Sequence, residues 1–378
     1  MNLNFKNAKI FTSNFKFNLG GFSVSEGFFD KVLSNSHENG EDLNGALVIP
    51  GLVDIHNHGN SDVDFTNCNS QDDIIKATRY LARNGSTSLL FTTGSDYESI
   101  LEESYRQAKI FMDNTPDDCA YLHGVHMEGV FFSQARRGAH PIRYLREPDY
   151  DMFNRLNEAS GSNIRIVCVS AELNNSISFI NRCKHEARVS IAHSNADYET
   201  AVTAFASGAN HVTHMFNGMS PFLHREPGVV GAALDSPEVM VELISDGLHV
   251  HQCVIRAVFR MFSAERVILV SDNVSFCGLP DGKYGEGDEA ITVSGKLITL
   301  PDGTVAGSGT CLFDGIKKVV SFGIPIEDVI RCATYNPALA IGVLDTTGTI
   351  ENGKSADFIV CNENLNIQAV YIKGNRVV

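Results

Sequence analysis

The chain has 378 residues, of which 43% are hydrophobic and 20% are charged. This composition is globular, which excludes a disordered chain and allows one large domain or two. The formal net charge of -15, from 45 acidic and 30 basic residues, argues against nucleic acid or an anionic membrane as a partner. The nine cysteines form no CxxC pair, and no apolar run approaches the ~20 residues that span a bilayer. We therefore expect a soluble protein of the reducing cytoplasm, without a signal peptide.

Both ends of the chain are predicted to be rich in β-strands. Residues 1–49 and 346–378 contain short alternating runs that are broken by turn residues. We expect these two segments to form one small β-sandwich domain together. The residues between them, 50–345, are then expected to form the main domain.

The middle of the chain is predicted to be an α/β fold, a (β/α)8 TIM-type barrel. Eight short apolar runs alternate there with stretches that favour helix, and eight parallel strands close such a barrel. The predicted strands are residues 52–57, 86–92, 120–127, 164–171, 188–193, 211–216, 239–245 and 266–272. A glycine-rich stretch near 278–309 is predicted by its alternation to contain a β pair and to be an insertion near the barrel mouth.

Imidazole and carboxylate side chains recur at the C-terminal ends of the predicted strands, where barrels of this type carry out their chemistry. The residues are His56, His58, Glu128, His193, His214, His249 and Asp272. Their nitrogen and oxygen atoms suit divalent metals such as Zn or Fe. A buried carboxylate like that of Glu128 is costly unless a cation accompanies it. Asp272 suits a general base beside such a metal.

The chain resembles the amidohydrolase superfamily and, within it, the N-acetylglucosamine-6-phosphate deacetylase family. The resemblance extends over nearly the whole length, and the string of THMFNGM, REPG and DGLHV is its most specific part. The matching segments are PGLVDIHNHG (50–59), HMEG (126–129), RRGAH (136–140), AHSNA (192–196), THMFNGM (213–219), REPGVVGAAL (225–234), SDGLHV (245–250), VSDN (270–273), AGSGT (306–310), ATYNPALAIGV (333–343) and GTIENGKSADFIV (348–360).

The resemblance implies a metal-dependent hydrolase. Glu128, His193 and His214 match the ligands of the main metal. His56 and His58 match the ligands of members that hold a second metal, so one or two ions per subunit are implied, with Zn, Fe, Mn and Co all open. Asp272 matches the general acid and base, and His140 matches a second catalytic residue that stabilises the oxyanion.

The implied substrate is a small phosphorylated amino sugar, N-acetylglucosamine 6-phosphate, which loses its acetyl group to give glucosamine 6-phosphate and acetate. Arg225 matches an arginine that reaches the phosphate from the neighbouring subunit, so we expect a homodimer. The residues that match substrate contacts are Ala139, His140, Asn217, Gly218, Arg225, His249, Gly307 and Ser308.

Three departures from the family pattern leave the substrate open. Val130 replaces a proline, Asn60-Ser61-Asp62 replaces a glycine run, and Asn273 replaces a small residue. We expect these changes to alter loops near the sugar, which keeps N-acetylgalactosamine 6-phosphate as an alternative substrate. Another amidohydrolase activity, on a different N-acyl or cyclic amide, is a second alternative. A catalytically silent binding protein is disfavoured, because the metal histidines and Asp272 are present.

Overall fold

The first strands of the chain belong to a small β domain. The computed structural model describes residues 2–33 and 39–378. Its N-terminal strands are β1 (Asn2–Phe11), β2 (Phe17–Ser25), β3 (Phe28–Phe29), β4 (Glu41–Asp42) and β5 (Leu47–Pro50). Strand β1 pairs with β2 in antiparallel orientation and with β4 and β5 in parallel orientation.

The middle of the chain forms the predicted parallel barrel. The strands of this part are β6 (Leu52–Asp54), β7 (Gly59–Asn60), β8 (Val63–Asp64), β9 (Ser86–Thr93), β10 (Tyr121–Met127), β11 (Ile164–Val169), β12 (Arg188–Ile191), β13 (His211–Val212), β14 (Met240–Ile244) and β15 (Val267–Val270). All eight predicted barrel strands are present, and they neighbour one another in the order β6, β9, β10, β11, β12, β13, β14, β15. A short antiparallel pair, β7 and β8, follows β6.

Helices follow the barrel strands and bury one apolar side against them. In the first helix, Ser70 accepts a hydrogen bond from the backbone N–H of Asp73, which satisfies a free donor at the helix start. The helices are α1 (Gln71–Arg83), α2 (Glu98–Asp113), α3 (Tyr150–Ala159), α4 (Ser176–Cys183), α5 (Tyr198–Ser207), α6 (Gly228–Asp235), α7 (Gln252–Arg266), α8 (Leu312–Ser321), α9 (Ile326–Ala333) and α10 (Tyr335–Ala340). Short 3-10 turns lie at Phe65–Asn67, Gln134–Arg136, Ile142–Tyr144 and Gly287–Glu289.

The barrel closes between its first and last strands, just beyond the ends of β6 and β15. The backbone N–H of Asp272 donates to the carbonyl of His56 at 3.0 Å, and that of His58 donates to Asn273 at 2.7 Å. Below this point the buried carboxylate of Asp54 accepts hydrogen bonds from the hydroxyl and the backbone N–H of Ser271. The closure therefore places the predicted site residues His56 and Asp272 side by side.

The insertion after β15 is a separate four-stranded antiparallel sheet, where the sequence predicted only a β pair. Its strands are β16 (Gly282–Tyr284), β17 (Ile291–Ser294), β18 (Leu297–Thr299) and β19 (Val305–Ser308). Ile291, Val293 and Ile298 form a small buried cluster within it. The last strand returns to the barrel, because Ser308 bridges to Asn273.

The C-terminal strands complete the small β domain that the sequence predicted from both ends of the chain. They are β20 (Phe358–Cys361), β21 (Ile367–Ile372) and β22 (Asn375–Arg376). β20 pairs with β5, so strands from both termini form one continuous hydrogen-bonded sheet of eight strands. Its core is aromatic: Phe5 stacks on Phe22 with ring centroids 4.8 Å apart, and Phe358 stacks on Tyr371 at 4.4 Å.

All nine cysteines lie in the described residues, and each is a free thiol. Eight of them are buried, which is the usual place of a cysteine that packs as a small apolar residue. Among the described residues, no helix combines the length and the hydrophobicity that a membrane crossing requires.

The fold makes a prediction about acid stability through His123 on β10. Burial lowers the pKa of His123 from 6.5 to about 4, and the charges of Arg165 and Lys373 act in the same direction. Between these pH values the unfolded chain binds a proton on this side chain and the folded chain does not, so stability falls as the pH falls. We expect His123→Gln, which can still bond to Ser88, to reduce the loss of unfolding free energy between about pH 7 and about pH 4.5 by about 2 kcal/mol.

The measurement is urea unfolding of both proteins, followed by circular dichroism after treatment with chelator so that metal loss does not contribute. An unchanged pH dependence in His123→Gln would show that this side chain is not a source of acid sensitivity.

Candidate metal centre and substrate cavity

Five of the seven predicted metal-binding and catalytic residues lie one or two positions beyond the last residue of a barrel strand, while His58 and His140 lie further along the following loops. Glu128 follows β10 directly, and His56 lies two residues after β6. His193, His214 and Asp272 lie two residues after their strands and have left-handed backbone, with φ of 46°, 30° and 51°. This conformation costs about 1–3 kcal/mol in a residue with a side chain, and it ends the strand ladder. It explains why these strands are shorter than the predicted runs.

The first cluster consists of Glu128, His193 and His214. Oε1 of Glu128 lies 3.2 Å from Nε2 of His193 and 2.9 Å from Nε2 of His214, and the two nitrogens lie 3.2 Å apart. His193 donates from Nδ1 to the carbonyl of Arg136 at 2.8 Å, so its Nε2 lone pair faces the carboxylate. All three residues are buried.

A second cluster shares the same carboxylate. Oε2 of Glu128 lies 3.6 Å from Nε2 of His56 and 3.1 Å from Nε2 of His58. The two histidine nitrogens are 3.2 Å apart. Oδ1 of Asp272 lies 3.3 Å from the first and 3.5 Å from the second. The Glu128 carboxylate thus lies between two pairs of imidazoles, with Asp272 beside the second pair.

The electrostatics of this cluster fit a divalent cation. Burial acts to raise the pKa of Asp272, but His56 and His58 outweigh it and lower that pKa to about 2. Burial acts to lower the pKa of His58, but hydrogen bonds to Asp272 and Glu128 outweigh it and raise the pKa to about 9. The site therefore favours positive charge, and the nitrogen and oxygen atoms of each cluster lie within 4.8 Å of one another. Such donors suit Zn, Fe, Mn or Co.

A cavity of about 600 Å³ opens above the two clusters. Its floor includes His58, Glu128 and Asp272. Most of the predicted substrate-binding residues also line it, namely Ala139, His140, Asn217, Gly218, His249 and Gly307. Residues 304–307 of the insertion form part of its wall, so the four-stranded sheet contributes to the entrance. This volume is in the range that accommodates a small-molecule ligand.

His140 faces the carboxylate of Glu128 from the cavity side. Its Nε2 lies 3.6 Å from Oε2 of Glu128, and its Nδ1 lies 2.9 Å from the hydroxyl of Ser95. A Ser95 hydroxyl that donates to Nδ1 leaves the proton of a neutral His140 on Nε2. That proton then points towards the two clusters, where it can be donated to a substrate oxygen.

His249 lies on another wall of the cavity and is paired with Asp246. Nδ1 of His249 lies 2.7 Å from Oδ2 of Asp246. The other oxygen of Asp246, Oδ1, accepts hydrogen bonds from the backbone N–H groups of Leu248 and His249. Burial acts to lower the pKa of His249, but the hydrogen bond and the charge of Asp246 outweigh it and raise the pKa. His249 can therefore present positive charge to an anionic ligand.

Two predicted substrate-binding residues lie outside the lining of this cavity. Ser308 is fully buried, and its backbone N–H donates to the carbonyl of Asp272 at 2.8 Å. Its contact with the site is thus through the backbone of Asp272. Arg225 is exposed and lines a separate surface cavity, where its guanidinium contacts His224 at 2.7 Å. Within one chain it is not among the residues that line the cavity above the metal clusters.

Two residues around the clusters were missed in the sequence. Ser95 follows β9 without any sequence signal that connects it to His140. Glu242 lies on β14 and contacts His56 and His211. A signal for Glu242 did exist, because it is a single carboxylate in an otherwise apolar strand and must have a buried partner.

The residues at the three departures from the family pattern do not line the cavity themselves, and their effect on the loops near the sugar stays a prediction. Val130 is buried in the main core. Asn60 is buried and donates to the carbonyl of Ala77. Asn273 is buried between Asn57 and Ser308. These three residues are therefore buried in the protein interior and do not face the cavity.

Comparison with known proteins shows which family this chain resembles. Residues 47–377 match the Amidohydrolase family. The chain is 32% identical over 334 residues to the N-acetylglucosamine-6-phosphate deacetylase of Bacillus subtilis (strain 168), covering 87% of this chain and 84% of that protein. It is 30% identical over 331 residues to the N-acetylgalactosamine-6-phosphate deacetylase of Escherichia coli O157:H7, covering 87% of each. The crystal structure of N-acetylglucosamine-6-phosphate deacetylase from Thermotoga maritima superposes with a TM-score of 0.89 at 28% identity, over 100% of this chain and 99% of that one.

The geometry predicts that Glu128 is the residue on which cation binding depends most. We expect Glu128→Gln to lower the affinity for divalent metal by far more than about tenfold, because loss of outer partners alone costs about 10- to 100-fold. Elemental analysis after dialysis measures this. Glu172→Gln is the matched control, since Glu172 bonds to Ser194 and Asn195 beside the site without facing the clusters. Equal metal content in both variants would contradict the assignment.

Proposed function

Because the chain belongs to the amidohydrolase family, and within it to the N-acetylglucosamine-6-phosphate deacetylases, we propose that it hydrolyses the acetamide of N-acetylglucosamine 6-phosphate. The products are glucosamine 6-phosphate and acetate. The observation that carries the proposal is the buried Glu128 carboxylate between two imidazole pairs, with Asp272 next to it at the floor of a ligand-sized cavity.

The two clusters would each hold a divalent cation. Glu128, His193 and His214 would hold the first one, and His56 and His58 would hold a second one that shares Glu128. Such a cation supplies Lewis acidity, which lowers the pKa of water and withdraws electrons from a carbonyl oxygen. The chain itself supplies the proton transfers and the orientation of the substrate.

Asp272 is suited to move the proton. Positive charge beside it, on His56 and His58 or on a cation that they would hold, favours its ionised form against the effect of burial, so it is a carboxylate at neutral pH. It can therefore accept a proton from the attacking water and then deliver that proton to the amine nitrogen, which is a poor leaving group without it. Its left-handed backbone and the hydrogen bond of Ser308 to its carbonyl fix its position.

His140 is suited to stabilise the charge that develops on the acetamide oxygen. The oxygen gains negative charge as the carbonyl carbon becomes tetrahedral. An N–H donor that is already in place stabilises this charge more than it stabilises the ground state. The Nε2 of His140 faces the clusters and its ring is held by Ser95.

The phosphate group requires a local positive site in an acidic protein. His249, with its raised pKa, and the backbone of Asn217 and Gly218 line the cavity. Arg225 does not line the cavity of its own chain, which fits a role at the cavity of a second copy in a homodimer. An arginine suits this task because its planar fork can bind two phosphate oxygens.

N-acetylgalactosamine 6-phosphate is the second candidate substrate. The similarity to a protein named as its deacetylase, at 30% identity, is the observation that supports it. The two sugars differ only in the orientation of one hydroxyl, so they make the same demands on the metal clusters and on Asp272. Kinetic comparison of the two phosphorylated sugars and of their unphosphorylated forms distinguishes these candidates.

We expect the purified protein to release acetate from N-acetylglucosamine 6-phosphate, to lose this activity with chelator and to regain it with Zn²⁺, Mn²⁺ or Co²⁺. Asp272→Asn should lower kcat by about 10²- to 10⁴-fold, the usual contribution of a general acid or base, with a much smaller effect on KM. Acetate release measured by a coupled assay tests this. No turnover of either phosphorylated sugar with any of the three metals would overturn the proposed function.

The dimer proposal makes a separate prediction. Arg225→Ala should raise KM strongly for the phosphorylated sugar and leave the slow reaction of unphosphorylated N-acetylglucosamine unchanged. Arg182→Ala, which removes an exposed arginine from α4 far from the cavity, should change neither. Mixing Arg225→Ala with Asp272→Asn chains after dissociation should restore activity, because one site of each mixed dimer then contains both native residues. A mixture that is no more active than its parts would place Arg225 outside the neighbouring site.

A further inference from the structure

We infer that Glu242 is a positioning residue that orients His56, and that it thereby determines whether the protein holds a second divalent cation. The inference rests on the proposed function only in that both require the metal clusters. It concerns a residue behind the cavity, because Glu242 is fully buried within β14 and does not line the cavity.

Glu242 connects the second cluster to the barrel interior. Its Oε2 lies 2.8 Å from Nδ1 of His56, and its Oε1 lies 3.0 Å from Nε2 of His211. Oε2 also accepts the backbone N–H of His214 at 3.3 Å. Both oxygens are therefore in use, and none of these bonds is open to solvent.

The bond to Glu242 decides which nitrogen of His56 can bind a cation. A carboxylate only accepts hydrogen bonds, so Nδ1 of His56 must carry a proton. In the neutral ring the lone pair is then on Nε2, the nitrogen that faces His58 at 3.2 Å and Glu128 at 3.6 Å. A carboxylate that holds a metal-binding histidine in this way fixes both its tautomer and its ring orientation.

Glu242 does not belong to a third cation site, although His56, His126 and Glu242 lie close together. Nδ1 of His126 lies 2.8 Å from the carbonyl oxygen of Ile55, and its Nε2 lies 3.2 Å from the sulfur of Cys168. Both ring nitrogens of His126 thus have protein partners, and the Nδ1 of His56 is bonded to Glu242. The role of Glu242 is therefore to hold His56 and not to bind an ion itself.

The first cluster is much less dependent on Glu242. Its His193 is held by the carbonyl of Arg136, and its Glu128 oxygen is the one that faces away from His56. Within the first cluster only His214 contacts Glu242, and it does so through its backbone N–H. At 3.3 Å this is the longest of the three hydrogen bonds that Glu242 accepts. Loss of the Glu242 charge should thus weaken the second cation selectively.

The test is a titration of the full-length, metal-stripped protein with Co²⁺, followed by calorimetry and by the visible absorption of bound cobalt. The wild type should bind two ions. Glu242→Gln should bind the first ion with nearly native affinity and the second about 10- to 100-fold more weakly, because an amide can no longer accept from both histidines. Ser190→Ala is the matched control, since Ser190 is a buried barrel residue that bonds to Thr213 and to no metal-cluster residue.

Glu242→Asp is a second variant, which keeps the test informative if Glu242→Gln does not fold. It keeps the charge but is too short to reach both His56 and His211, so it should also weaken the second ion selectively while thermal unfolding confirms a folded barrel. Equal affinity for the second ion in the wild type and the folded variants, equal weakening of both ions, or a wild type that binds a single ion would each overturn the inference. A wild type that binds two ions but releases no acetate would instead contradict the proposed function and leave the inference standing.

Discussion

The carboxylate of Glu128 is the group on which the site depends. It is 2% exposed, and each of its oxygens faces a pair of imidazole nitrogens. A charge in such a place is unfavourable unless opposite charge lies within contact distance. The surrounding imidazoles compensate the buried negative charge of this carboxylate in part, and a divalent cation would compensate the rest.

The backbone is strained at three residues of the site. His193, His214 and Asp272 each adopt a left-handed conformation that few residues with a side chain adopt. The conformation turns the chain out of the strand just where the side chain must leave the ladder. A barrel with a continuous apolar layer between strands and helices can bear this strain, because the burial of so much apolar surface supplies far more free energy than three strained residues consume.

The site has a cavity side and a barrel side with different tasks. On the cavity side, His140, His249 and the loop at Asn217 can contact a ligand. On the barrel side, Glu242 and Asp54 are buried carboxylates that hold the ends of the strands in position. The departures from the family pattern at Val130 and Asn273 are buried and lie on the barrel side.

The sequence by itself determined the eight barrel strands, the terminal β domain and the residues that form the two clusters. Apolar runs are local signals, and a residue at the C-terminal end of a parallel barrel strand must lie on the same rim as its counterparts. Only the tertiary structure decided how Glu242 is used, why the strands of His193 and His214 stop early, and that Ser308 and Arg225 lie outside the cavity of their own chain. These features depend on which face of a strand is turned inward and on contacts between residues far apart in sequence. The sequence of a single strand does not show which distant residues it will contact.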